Sequence, residues 1–166
     1  MNDQHVFYLS LGSNIHPETN LPEAIEMLRK FGQIQACSNA WESHAAGSGG
    51  PNYLNASVMF VSTKSRDKLK TGVIRPIEAA LGRIRGSNQN APRTIDIDIM
   101  MADGKPLNVN RWAYPFVVVP MSDLLPDFIH PTTHQRLIDA VAALRAQTWI
   151  VPRPEILRMS AAAPNH

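Results

Sequence analysis

The chain has 166 residues, 44% of them hydrophobic and 18% charged, which is enough to bury one core. Its formal charge of only +2, with a pI near 8.9, is small for a general nucleic-acid binder. The single cysteine, Cys37, excludes an internal disulfide framework and a Cys-rich zinc site, and reads as a small buried apolar residue. No stretch approaches the ~18 consecutive apolar residues of a membrane span, and Met1 to His5 has no basic-then-apolar leader pattern. A single cytoplasmic domain over residues 1–166 is expected, with no membrane and no nucleic-acid partner.

Val6 to Leu11 is short, apolar and stopped by Gly12-Ser13-Asn14, so it predicts a buried strand and a turn. Leu21, Ala24, Ile25 and Leu28 recur at helical spacing, with Asn20 as N-cap, Pro22 in the first turn and Gly32 as the stop. Ile34 to Trp41 predicts a second strand, the Gly-rich stretch 43–51 a loop, and Tyr53 to Val61 a third strand. Ser65 can cap a helix with Leu69, Val73, Ile77 and Leu81 on one face, kinked at Pro76 and ended by Gly82. A basic loop over 83–92 leads into a strictly alternating segment, Thr94 to Met100. Phe116 to Val119 predicts a short apolar strand, Thr133 the cap of a last helix, and the chain from about 152 an irregular tail. This order fits a ferredoxin-like α+β domain, an antiparallel sheet with helices packed on one face and long active-site loops.

Asp96 and Asp98 stand at i and i+2 in the alternating segment, so both carboxylates project to one side while Ile95, Ile97 and Ile99 fill the other. Two anions that close call for a cation, and hard oxygen donors suit Mg²⁺. A solvated edge strand would carry the same pattern. Arg83, Arg85 and Arg93 immediately upstream favour a polyphosphate, because guanidinium groups grip phosphate oxygens bidentately.

Three strings in order, Leu9-Ser10-Leu11-Gly12-Ser13-Asn14, Pro51-Asn52-Tyr53-Leu54-Asn55-Ala56 and Pro92-Arg93-Thr94-Ile95-Asp96-Ile97-Asp98-Ile99, resemble the signature of the 6-hydroxymethyl-7,8-dihydropterin pyrophosphokinases. Glu78 with Leu81-Gly82-Arg83, and Phe116 through Pro120, extend the match over most of the chain. The resemblance implies transfer of pyrophosphate from ATP to the pterin hydroxymethyl group, with release of AMP. Asp96 and Asp98 would hold two Mg²⁺ ions on the ATP phosphates, which Arg83, Arg85 and Arg93 would contact. Tyr53 and Phe116 would sandwich the reduced pterin, Asn55 would hydrogen-bond its edge, and the backbone from Ser43 to Ala46 would read the rest. Glu78 and Ile99 would lie near the adenosine. The Gly12-Ser13-Asn14 turn is read as structural.

Two departures stand out. Gln89-Asn90-Ala91 occupies the place of the family's basic-Trp-Gly lid, and only Trp112-Ala113-Tyr114-Pro115 separates Arg111 from Phe116, where the family carries a Pro-His pair and a later Arg. Arg111, Trp112 and Tyr114 are the candidates to replace the missing contacts. A non-catalytic or repurposed pterin- or nucleotide-binding paralogue is the alternative. An RNA-binding ferredoxin-like domain is disfavoured by the absence of an aromatic-rich basic strand.

Overall fold

The computed structural model describes residues 3–45, 49–83 and 92–161. Strand β1 (His5–Ser13) is followed by helix α1 (Pro17–Leu28), β2 (Gln33–Cys37), β3 (Ala40–Ser43) and β4 (Tyr53–Ser62). Next come α2 (Arg66–Leu69), a π-turn (Lys70–Ile74), α3 (Arg75–Ala80) and β5 (Asp96–Ala102). The chain then adds β6 (Lys105–Pro106), a 3-10 turn (Val109–Ala113), α4 (Pro115–Leu124), α5 (Leu137–Gln147), β7 (Ile150–Arg153) and α6 (Pro154–Ala161). The sheet runs β6-β5-β1-β4-β3-β7, with β2 also paired to β4, and its pairings are antiparallel. Its inner order, β5-β1-β4-β3, is the ferredoxin-like arrangement expected of the sequence.

Alternation along β1 and β4 makes two faces. Phe7, Leu9, Leu11, Leu54, Ala56, Val58 and Phe60 join Leu21, Ile25 and Leu28 of α1 and Leu69, Val73 and Ile77 of the second helix in one core. Burying side chains of this size contributes about 1.5–3 kcal/mol each against full exposure. Helices therefore pack on one face of the βαββαβ core, as expected. The additions after β5 bring α4 and α5 to the opposite face, where Trp112, Val117, Val118, Met121 and Leu137 form a second core with Trp41, Met100 and Met101.

Several local expectations are corrected. The run Phe116 to Val119 is helical, because Pro115 sits at N1 and the β-branched valines are buried in α4 rather than paired in the sheet. The stretch 150–161 forms regular elements: β7 pairs with β3 at the sheet edge, where Pro152 is tolerated, and Leu157 of α6 is buried in the first core. The second strand is broken at Ser38, whose hydroxyl accepts from Ser57 N–H at 2.8 Å and donates to Asn39 O at 2.7 Å. Helix α1 begins earlier than expected, at Pro17, behind a left-handed His16, so Pro22 falls inside it. Asn20 is not the cap; its amide donates to Ile15 O at 2.6 Å. Ser65 does cap α2, accepting from Lys68 N–H, and the turn before Pro76 widens into a π-turn that accommodates the missing N–H. Arg136, not Thr133, occupies the cap position of α5. Cys37 packs against the first core, and burial pushes its thiol up to about 11. Among the described residues no helix is long and apolar enough to cross a membrane.

Candidate active site

The register of the central strands builds the site. Ser10 lies opposite Asp98 and Gly12 opposite Asp96 on one side of β1, and Gly12 lies opposite Asn55 on the other. These residues share the face turned away from the first core, at the end of the sheet that α4 leaves uncovered. A cavity of about 440 Å³ opens there. Its walls are Asp96 and Asp98 of β5, Tyr53 and Asn55 of β4, Ser43 and His44 at the end of β3, and Arg93, Arg111, Tyr114 and Phe116 from the loops. A Cβ on Gly12 would lie 3.4 Å from Asn55 Oδ1 and 3.6 Å from the Tyr53 ring, so the absent side chain leaves the floor between them open.

Asn55 is buried, and its amide nitrogen donates to Trp41 O at 3.0 Å and to Ser43 Oγ at 2.8 Å. Those bonds fix the orientation of the amide and leave Oδ1 without a donor among the described residues. Phe116, at the start of α4, is stacked with Tyr114 at 5.0 Å between centroids and 11° between planes. Tyr53, Asn55, Ser43 and Phe116 are thus brought to one cavity as the sequence suggests, although Phe116 arrives on a helix. Ala46 and Arg85 fall outside the described residues, as does the segment 89–91.

The carboxylates sit in a nest of arginines. Arg83 Nη1 lies 2.7 Å from Asp96 Oδ1 and 2.7 Å from Glu78 Oε2, and Arg93 Nη1 lies 3.2 Å from Asp96 Oδ2. Glu78 is buried and also accepts Ile97 N–H at 2.9 Å, so it ties α3 and Arg83 to the strand carrying the aspartates. Arg111 Nη2 reaches Asp98 Oδ2 at 3.1 Å and Asp96 Oδ2 at 3.9 Å. Burial, then the neighbouring Asp96 charge, pushes Asp98 up to about 6, and Arg111 only partly offsets them. Gly12 and Ser13, expected in a turn, instead continue β1, and Gly12 lines the cavity. Asn14 Oδ1 accepts Arg93 N–H at 2.7 Å and its amide donates to Pro51 O at 3.2 Å, clamping both loops.

A second cavity, of about 340 Å³, meets the first at Asp98. Ile74, Ile99 and Leu107 give it apolar walls, and Arg66 and Lys70 place cations at its rim. Of the two residues that the resemblance would put near the adenosine, Ile99 lines this cavity and Glu78 does not. No signal in the sequence marked Arg66 or Lys70, which line it from α2 and the π-turn.

Three comparisons bear on this geometry. Residues 8–126 match the family described as 7,8-dihydro-6-hydroxymethylpterin-pyrophosphokinase (HPPK). The 2-amino-4-hydroxy-6-hydroxymethyldihydropteridine pyrophosphokinase of Synechocystis is 31% identical over 149 residues, covering 82% of this chain and 75% of that protein. The folic acid synthesis protein FOL1 of Dictyostelium discoideum is 34% identical over 147 residues, 78% of this chain but only 21% of that longer protein. A crystal structure of Plasmodium falciparum HPPK-DHPS with pterin and p-hydrobenzoate superposes with a TM-score of 0.66 at 11% identity, covering 89% of this chain and 45% of that one, and so shares its fold. The chain belongs to the 7,8-dihydro-6-hydroxymethylpterin-pyrophosphokinase family.

Proposed function

We infer that this protein transfers pyrophosphate from ATP to the hydroxymethyl group of 6-hydroxymethyl-7,8-dihydropterin, releasing AMP, as a step of folate synthesis. The observation that carries the reading is one cavity walled on one side by Tyr53, Asn55 and Phe116 and on the other by Asp96, Asp98 and Arg93. A flat heterocycle between the aromatic rings would have its polar edge at the open Asn55 Oδ1 and its substituent toward the carboxylates. Ser43, by fixing the Asn55 amide, sets which edge is read.

The donor set fits Mg²⁺. Asp96 and Asp98 offer hard oxygens on one face of the cavity, and no group of three or more His, Cys, Asp or Glu gathers among the described residues. Mg²⁺ commonly takes one or two carboxylates and leaves its other positions to water and phosphate. Asp96 and Asp98 would hold it, two ions in the reading proposed here, and its contribution would be to neutralise the triphosphate. Arg93 would add charge from the loop. Arg83, held by Glu78, would keep Asp96 in place while adding its own. The second cavity would take the nucleoside, with Ile74 and Ile99 against the base and Lys70 and Arg66 outward. The pterin hydroxyl would then approach the β-phosphorus in line, with AMP leaving toward that cavity. Positioning and charge neutralisation suffice for such a transfer, and no protein nucleophile is required.

The test is product identification after incubation with ATP, Mg²⁺ and the hydroxymethyl pterin. AMP and a pyrophosphorylated pterin in equal amounts are expected; ADP, or hydrolysis independent of pterin, would overturn the reading.

A further inference from the structure

Arg111 is bound in a way that marks it as a temporary partner. Its Nη2 makes a single 3.1 Å contact with Asp98 and a loose 3.9 Å approach to Asp96, short of the bidentate fork a guanidinium forms with a carboxylate. Its Nε is buried with no acceptor, an unpaired donor that costs stability while the side chain is docked. The guanidinium carbon is 6.0 Å from the centre of the Tyr114 ring. The backbone beneath is fixed: Trp112 is fully buried, its indole N–H donates to Leu107 O at 2.9 Å, and His130 Nε2 donates to Trp112 O at 2.6 Å. Asn108, left-handed at the start of the turn, donates its amide to Ile99 O at 2.9 Å. The side chain can therefore swing without moving the turn that carries it.

We propose that Arg111 is an exchangeable counterion for Asp96 and Asp98. It holds the pair together in the metal-free protein and gives the carboxylates up when a divalent cation binds. The proposal rests on the metal role inferred above for the aspartates. Asp96 keeps Arg83 and Arg93 after the exchange, whereas Asp98 has no other arginine within ion-pair distance among the described residues, so Asp98 is where cation and guanidinium compete. The freed guanidinium stays on its pinned turn beside Tyr114 in the wall of the first cavity, within reach of a polyphosphate.

Competition makes a prediction of unusual sign: removing a positively charged residue from the site should weaken nucleotide binding yet tighten binding of the metal alone. The test titrates Mn²⁺, followed by the loss of its free paramagnetic signal, into the full chain without nucleotide, for the wild type, Arg111→Met and Asp98→Asn. Arg111→Met is expected to bind Mn²⁺ about five- to tenfold more tightly than wild type, and to bind a non-hydrolysable ATP analogue with Mg²⁺ about tenfold more weakly. Equal Mn²⁺ affinities, weaker binding by the variant, or no binding by either protein would overturn the proposal. Undiminished Mn²⁺ binding by Asp98→Asn would instead overturn the metal role of the aspartates, which separates the two failures. Thermal melting in chelator checks the fold of each variant, and Mn²⁺ should raise the midpoint of Arg111→Met more than that of wild type.

Discussion

Asn55→Ala separates binding from architecture more sharply than any other single change in the site. The wild-type amide makes two bonds from a buried position, to Trp41 O and Ser43 Oγ, and turns its oxygen into the cavity. Two net hydrogen bonds at about 0.5–1.5 kcal/mol each give a stability loss of about 1–3 kcal/mol, enlarged toward the upper figure by acceptors left buried. Loss of the Oδ1 contact to the pterin adds a binding cost of about 1–2 kcal/mol, or roughly five- to thirtyfold in affinity. ATP affinity should hold within twofold, because no phosphate-facing group moves. Ser43→Ala provides the calibration: it deletes one bond and keeps the oxygen, so it should lose about 1 kcal/mol of stability and less pterin affinity. Urea denaturation and pterin titration by fluorescence measure the two quantities independently. A destabilised Asn55→Ala protein with pterin affinity within twofold of wild type would show that Asn55 only braces β3 against β4, and the pterin assignment would fail.

Phe116→Ala should weaken pterin binding by about 1–3 kcal/mol with little change for ATP; equal losses for both ligands, with a lowered melting temperature, would make Phe116 a packing residue of α4. His130 is buried, donating to Trp112 O and accepting the N–H groups of Thr132 and Thr133, so His130→Ala should cost about 2–4 kcal/mol in denaturation experiments. A change within experimental error would contradict that accounting. Asp98, pushed up to about 6, contributes stability that is complete below its unfolded value near 4 and lost as pH rises through about 6. In chelator, wild type should therefore lose up to about 3 kcal/mol relative to Asp98→Asn between pH 4 and pH 7, and parallel pH profiles would refute the shift.

The strand of the aspartates was legible because its two faces differ without exception: Ile95, Ile97 and Ile99 are all buried, and Asp96 and Asp98 face the cavity. Helix α4 was illegible for the opposite reason. Valines 117 to 119 are buried all round, a fully buried helix has no polar stripe, and a short β-branched run then reads as a strand. Edge strand β7 was hidden by Pro152, which ordinarily argues against a strand but is harmless where the N–H side is unpaired. The aromatic and amide residues of the cavity came from motif resemblance, since Tyr53 and Asn55 alternate like core positions of any strand. Arg111 could be flagged only as a candidate to fill a gap. Its pairing with Asp98 depends on the β5–β6 hairpin and the 3-10 turn folding back across the strand, which local spacing does not encode.

The central claim is that Asp96 and Asp98 carry the metal on which pyrophosphoryl transfer depends. It is tested most directly by the rate of AMP formation by Asp98→Ala at saturating ATP, hydroxymethyl pterin and Mg²⁺, beside wild type of matched fold. Losing one such ligand removes several kcal/mol of transition-state stabilisation, so a fall of at least about a thousandfold is predicted, with pterin affinity retained. A variant turning over within about tenfold of wild type would contradict the account.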